Sequence, residues 1–364
     1  MLNNTQVADH LSDFFGGDYF TKNYWTRQPL LLTDKKWELN SLISITEIDR
    51  LITESRFTDK DIRLGKDGST IPAYEYLDYV KGEGVVNPAK ILHQYRNGAS
   101  IILNRLNNHN YALAELCRLF DKKMKILKEC YTNIYITPPN SYSFPPHYDE
   151  QDVVVLQIEG EKQWKVFNPI VENPLEEQMY QDVAKTDYAS DQVMNVTLAK
   201  DDILYVPRGF VHEVNTTDEP SIHITLTIIP YTWYDICQST LKFAMANDAE
   251  LRSAVPVDIF DGFNDHLKHY RDRIQSFSAV KNLEKALNSI NISRNTSGKP
   301  MVKGLFETLY NKTSLKEGVT IFNRSSNKVS LKTKDEELFL NFNSRTIKMP
   351  ASVMIFYKPN YFLC

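Results

Sequence analysis

Cysteine is scarce and unpatterned in this chain: Cys117, Cys130, Cys237 and Cys364 are scattered through 364 residues, and no pair stands at metal-ligand spacing. A cysteine-built metal cluster is thereby excluded, and free thiols in a reducing, intracellular compartment are the expectation. Long apolar runs are missing too. None approaches the roughly 18 to 20 residues that a membrane helix needs, so no membrane partner is expected. The opening MLNNTQVADHLSDFF lacks the basic region and apolar core of a secretory signal, which points to the cytoplasm. No internal repeat and no low-complexity segment interrupts the chain.

What is present is ordinary globular material: 42% apolar and 24% charged residues, enough for a substantial core with one or two smaller domains. The net charge of −4 conceals an asymmetry. Residues 291–364 carry twelve Lys and Arg against five Asp and Glu, net +7, which leaves −11 on the remainder. A basic C-terminal segment on an acidic body could make a weak contact with a polyanion such as RNA, or be a solvated surface with no partner.

Along the chain, Pro29 followed by Leu30-Leu31-Leu32 predicts a short buried strand. ISITEIDRLITES predicts a helix with Ser44 or Thr46 as cap, and Tyr111 to Lys128 a second one. DIRLGKDGSTIPAY holds a Lys66-Asp67-Gly68 turn between strand-like flanks. Between Tyr131 and Pro230 the pattern becomes β-rich: NIYIT, DVVVLQI, QWKVF, VMNVTL, ILYVP, HEVNT and SIHITLTII. Closely spaced short strands of this kind predict a sandwich or barrel, of which the jelly roll or cupin holds a ligand in its mouth. After Pro230, TWYDICQSTLKFAMAN and FNDHLKHYRDRIQSFSAVKNLEKALNSI predict helices, the second a long one with a continuous apolar stripe from Phe263 to Ile290. That stripe must be buried against this chain or against a second copy. From Arg294 onward a small α+β module is expected.

The chemistry is concentrated in SFPPHYDEQ. Side chains two apart in an extended strand share a face, so His147 and Asp149 can present an imidazole nitrogen and a carboxylate oxygen to one point. A third ligand must come from elsewhere. His212, leaving a strand through the Pro207-Arg208-Gly209 turn, is preferred, while His223 competes from inside a continuous run. Two imidazoles and one carboxylate with an open opposite face form the arrangement of non-haem Fe(II) oxygenases. If the cosubstrate is 2-oxoglutarate, its far carboxylate needs a buried cation, and Lys162 in its frame of Val155, Ile158, Trp164, Val166 and Phe167 is the candidate. The alternative is an exposed lysine in a plain hairpin turn.

The stretch NIYITPPNSYSFPPHYDEQDVVVLQIEGEKQWKVFNP, together with DDILYVPRGFVHEV and HITLT, resembles the JmjC-type ribosomal oxygenases, cupin-like protein-histidine hydroxylases. YFTKNYWTRQPLLL and ELRSAVP are similar to the flanking regions of that family, so the resemblance covers about residues 10 to 260. It implies His147, Asp149 and His212 as Fe(II) ligands and Lys162 as the partner of the 2-oxoglutarate carboxylate. It further implies Asn133 and Thr225 as cosubstrate contacts, with Thr227 on the same strand face as Thr225, and Tyr135 at the substrate-binding mouth. The implied organisation is a mainly β JmjC/cupin catalytic core, a double-stranded β-helix with an N-terminal α/β extension, over 1–230. A helical, candidate dimerisation region over 231–292 and a basic winged-helix-like module over 293–364 complete it. The implied activity is O2-consuming hydroxylation of a protein side chain, with histidine of a ribosomal protein as leading target. Asparagine or arginine hydroxylation is the rival chemistry. From another class, a cupin-fold binding protein without turnover is the alternative.

Overall fold

The computed structural model describes residues 3–33, 37–178, 183, 186–260, 263–296, 329–334, 337–342 and 345–348. The chain divides into two units, Met1–Pro230 and Tyr231–Cys364. In the first unit, helix α1 (Asn4–Gly16) is started by a capping box in which Asn3 and Gln6 satisfy each other's backbone N–H groups. Helix α2 (Asp18–Asn23) follows. Neither is among the elements expected above, although Val7, Leu11 and Phe15 recur at helical spacing and are buried. Phe15 and Phe20 meet edge to face at 4.7 Å, so the aromatic cluster of the N-terminal segment serves as packing for the core.

Strand β1 (Leu30–Leu32) and helix α3 (Ile45–Glu54) stand where expected, with Ser44 as the cap of α3 accepting the Glu47 N–H. Next come β2 (Ile62–Lys66), β3 (Ser69–Thr70), β4 (Leu77–Val80), β5 (Glu83–Val86), helix α4 (Pro88–Arg96) and β6 (Ser100–Leu103). Helix α5 (Tyr111–Met124) is capped by Asn110 and delivers the chain to β7 (Leu127–Thr137). The remaining strands of this unit are β8 (Asp152–Pro169), β9 (Gln192–Leu198), β10 (Ile203–Val206) and β11 (Phe210–Pro230).

Among the described residues β4 and β5 form a hairpin of their own, and the other strands of this unit form one antiparallel sheet in the order β1-β10-β8-β11-β7-β6-β2-β3, with β9 paired to β8. The mainly β core expected from the sequence is present. Its strands are longer than their sequence signatures, because DVVVLQI and QWKVF are two arms of β8, and HEVNT and SIHITLTII two arms of β11. The two long strands pair along most of their lengths, with register breaks at Phe210/His212, Thr216/Ser221 and Ile222/His223. Gly160 marks the bend in β8. Its φ is +66°, and a Cβ there would stand 1.7 Å from the Pro220 carbonyl oxygen, so only glycine lets β11 approach. On one side of the sheet Ile134, Leu156, Ile224 and Leu226 pack with α1 and α5; on the other, Val153, Val155, Trp164 and Val166 form a second apolar cluster.

In the second unit Thr232 and Asp235 form a capping box for α6 (Trp233–Asn247). The expected long helix is two, α7 (Phe263–Phe277) and α8 (Val280–Thr296). The break falls at Ser278-Ala279, where Asn282 turns its side-chain amide back onto the Ser276 carbonyl at 3.0 Å. A side chain that competes for backbone acceptors ends a helix even where the apolar period runs on. Three antiparallel strands, β12 (Val329–Lys334), β13 (Glu337–Phe342) and β14 (Arg345–Lys348), follow in the order β12-β13-β14. The rest of the expected winged-helix-like module lies outside the described residues.

Candidate metal centre and its cavity

The loop between β7 and β8 is strapped to the start of β11. Thr216 Oγ1 donates to the Pro138 carbonyl at 2.6 Å and accepts the Ser141 N–H at 2.8 Å. Further along, His147 and His212 exchange backbone hydrogen bonds, His212 N–H to His147 O at 2.8 Å and His147 N–H to His212 O at 3.3 Å. Asp149 is held in turn by the Gly209 N–H on its carbonyl at 2.9 Å. Gly209 has φ +86°, and a Cβ there would stand 2.2 Å from the Val171 carbonyl oxygen, so the Pro-Arg-Gly turn aiming His212 also depends on glycine.

Three ligand atoms, one each from His147, Asp149 and His212, lie within 4.8 Å of one another. Each imidazole Nε2 stands 3.9 Å from an Asp149 oxygen, His147 from Oδ1 and His212 from Oδ2. The opposite ring nitrogens are occupied: His147 Nδ1 lies 2.9 Å from the Pro145 carbonyl and His212 Nδ1 3.2 Å from the Phe210 carbonyl. A carbonyl only accepts, so each Nδ1 carries the proton and each Nε2 turns a lone pair to the shared point. Burial, then the neighbouring His147, pushes His212 down to about 4, which keeps it a neutral ligand. Two imidazole lone pairs and a carboxylate suit a divalent first-row metal.

The triad opens on a cavity of about 650 Å³ whose lining includes Lys162, Tyr135, Trp164, His223, Thr225 and Arg63. Lys162 is 3% exposed, and its Nζ donates to Thr137 Oγ1 at 3.0 Å. Burial pushes its ammonium down to about 7. No carboxylate pairs with it among the described residues, so the exposed-hairpin alternative is not what the fold adopts. Tyr135 pairs with His223 across β7 and β11, and the two rings stack at 4.8 Å and 5°. Burial, and next Asp149, pushes the Tyr135 hydroxyl up to about 12, so it is a neutral donor.

The expected residues thus fall into two groups. His147, Asp149, His212, Lys162, Tyr135 and Thr225 surround one cavity. Asn133 pairs with Thr225 across the strands, but it lines the adjoining cavity of about 560 Å³, and its Oδ1 accepts the Arg105 N–H at 2.9 Å. His223, the competitor for the third ligand position, is buried in the cavity wall on the face of Thr225. Arg63 was not anticipated: it sits between the two cavities with its guanidinium 4.7 Å from the Phe144 ring. No local motif marks it, because β2 reaches the site only through pairing with β6.

Residues 107–236 match the family described as a JmjC domain. Similar proteins include a bifunctional lysine-specific demethylase and histidyl-hydroxylase NO66 of Aedes aegypti, 29% identical over 294 residues, covering 72% of this chain and 44% of that protein. Ribosomal oxygenase 1 of Danio rerio is 26% identical over 290 residues, covering 72% of this chain and 51% of its own. The chain spans a quarter to a half of the length of the curated relatives it matches, 25% for NO66 of Drosophila pseudoobscura pseudoobscura. Among solved structures, the Escherichia coli ribosomal oxygenase YcfD superposes with a TM-score of 0.51 at 16% identity, over 91% of this chain and 85% of that one. At that identity the match speaks for the fold. Residues 107–236 thus match a JmjC domain, and over 72% of its length the chain is similar to the NO66 and ribosomal oxygenase proteins.

Proposed function

We propose that this protein is an Fe(II)- and 2-oxoglutarate-dependent hydroxylase of a protein side chain, with a histidine of a ribosomal protein as target. The observation that carries the reading is a His-Asp-His set opening on the cavity that also holds a buried lysine without a carboxylate partner. His147, Asp149 and His212 would hold the metal; Lys162 would hold the far carboxylate of 2-oxoglutarate, and Thr225 lies on the same wall. Together, bound iron and 2-oxoglutarate would supply the oxidising power by which one oxygen atom of O2 enters a C–H bond, while the other leaves in the succinate formed as 2-oxoglutarate loses CO2. The chain's own share is to fix the ligands, neutralise the dicarboxylate and keep water out through Trp164, Val153 and Val214. Tyr135, with its neutral hydroxyl, would orient the incoming side chain at the mouth.

The names of the relatives support the substrate class, since they are called histidyl-hydroxylases and ribosomal oxygenases. A solved YcfD structure described as a complex with cobalt and succinic acid supports the cofactor class. Within the same reading we place the protein in the cytoplasm. Among the described residues no helix is long and apolar enough to cross a membrane. We further assign a homodimer interface to α7 and α8, where Tyr270 and Leu287 are exposed, and a weak RNA contact to the basic segment 291–364. The test is mass spectrometry of ribosomal proteins from cells with and without the gene. A +16 Da shift on one histidine, present only with the gene, is expected. Unchanged ribosomal proteins refute the substrate; failure of purified protein to turn over 2-oxoglutarate refutes the chemistry.

A further inference from the structure

His223 is a buried titratable group of the cavity wall to which the proposed chemistry gives no task. Its place is tightly determined. It faces Tyr135 across β7 and Gln157 across β8, stacks on the Tyr135 ring, and meets the Trp164 ring at 5.9 Å and 76°. It is 2% exposed, yet it lines the cavity together with Thr225, two residues on along the same face of β11. Two aromatic neighbours at fixed angles leave the imidazole little freedom to turn. Packing alone would be served as well by phenylalanine.

The hydrogen-bond inventory shows what an imidazole adds. Nδ1 is buried without a partner, and so is Oε1 of Gln157 across the strand; no hydrogen bond joins the two. The Gln157 amide is held the other way, its Nε2 donating to the Glu159 and Gly160 carbonyls and to Ser221 Oγ. An orphaned buried N–H is rarer and costlier than an orphaned lone pair, so the proton belongs on Nε2 and Nδ1 is bare. Burial, and then Lys162, keep the ring neutral. A second cation beside Lys162 would raise the cost of the empty site, whereas a neutral donor does not.

We infer that His223 donates its Nε2–H to the far carboxylate of the cosubstrate, sharing that anion with the Lys162 ammonium. The carboxylate then receives a charge from β8 and a directed hydrogen bond from β11, which sets the plane of the dicarboxylate against the Tyr135–His223 stack. The ligand class is a C5 2-oxo dicarboxylate. This inference rests on the proposed use of 2-oxoglutarate and adds a residue to it.

The experiment is calorimetric titration of 2-oxoglutarate into zinc-loaded protein without turnover, comparing wild type with His223→Phe and His223→Gln. Phenylalanine keeps the stack and loses the donor; an affinity loss of about tenfold or more is expected, the worth of a hydrogen bond to a charged group. Glutamine restores a donor, and recovery to within about threefold of wild type is expected on the same grounds. Equal affinity of wild type and His223→Phe, with zinc binding intact in both, overturns the assignment and leaves the use of 2-oxoglutarate standing. Absence of 2-oxoglutarate binding to the wild type overturns both. Independently of any variant, the side-chain 15N spectrum of wild-type His223 is expected to show the Nε2–H tautomer and a shift of Nε2 on adding 2-oxoglutarate. A proton on Nδ1, or an unmoved Nε2, overturns the assignment.

Discussion

A lysine pushed down to about 7 by burial alone makes the binding of an anionic cosubstrate a proton-uptake reaction. In the proposed reading the carboxylate of 2-oxoglutarate would need the ammonium, whereas above pH 7 the empty site holds mostly the free amine. The apparent dissociation constant then scales as one plus ten to the power of pH minus 7. It is nearly flat below pH 6, and rises about elevenfold above that plateau by pH 8 and about a hundredfold by pH 9. At pH 8 each binding event takes up about 0.9 proton by the same relation. Calorimetry of 2-oxoglutarate on zinc-loaded protein, repeated in buffers of different ionisation enthalpy, reads both quantities. In Lys162→Met the uptake is expected to vanish along with most of the affinity. The folding linkage has its own sign. A lysine whose folded value lies below its unfolded one disfavours the folded state at low pH, and stability rises as pH climbs from about 7 toward 10.5. Below pH 7 the ligand-free Lys162→Met protein should therefore be more stable than wild type by something on the order of 5 kcal/mol. An affinity for 2-oxoglutarate that is flat from pH 7 to 9, without proton uptake, would refute the reasoning.

Three further outcomes are expected. His147→Ala or Asp149→Ala should lower Mn(II) or Zn(II) affinity more than about 100-fold with circular dichroism unchanged, because neither side chain packs the sheet; metal binding undiminished in both would remove the centre. The Asp152 carboxyl is pushed up to about 6 by burial, against the Tyr205 hydroxyl that donates to it at 2.7 Å. Its favourable contribution is complete below the unfolded value near 3.8 and is lost as pH rises through 6. Asp152→Asn should thus stabilise the protein by roughly 3 kcal/mol at pH 7 and by little at pH 4, read from melting at the two pH values. Gly160→Ala should cost more than about 2 kcal/mol in thermal unfolding, since both the positive φ and the Pro220 carbonyl oppose a methyl group; a melting temperature equal to that of wild type would show that the bend is not rigid.

Much of the site could be read locally. His147 and Asp149 announce themselves because two ligands two residues apart need only an extended chain, and Pro145-Pro146 supplies it. Lys162 could be singled out because an ammonium in an apolar frame demands an anion. The first helix is hard to read because its start is marked only by the polar contacts of Asn3 and Gln6, and the second because Gly17 at its N-cap makes no side-chain hydrogen bond. The long helix after Phe263 was overextended because its apolar period ignores the backbone capture by Asn282.

By itself the sequence determined residue chemistry and local geometry: which side chains can bind a metal and which strand faces they share. What only the tertiary structure decided is which distant residues meet. Arg63 enters the site through β6, Asn133 lines the neighbouring cavity, and His223 lies in the cavity wall instead of among the ligand atoms of His147, Asp149 and His212. Strand pairing over more than a hundred residues sets those positions, and the free energy that selects one register is summed over the whole sheet, so no single segment carries its signature.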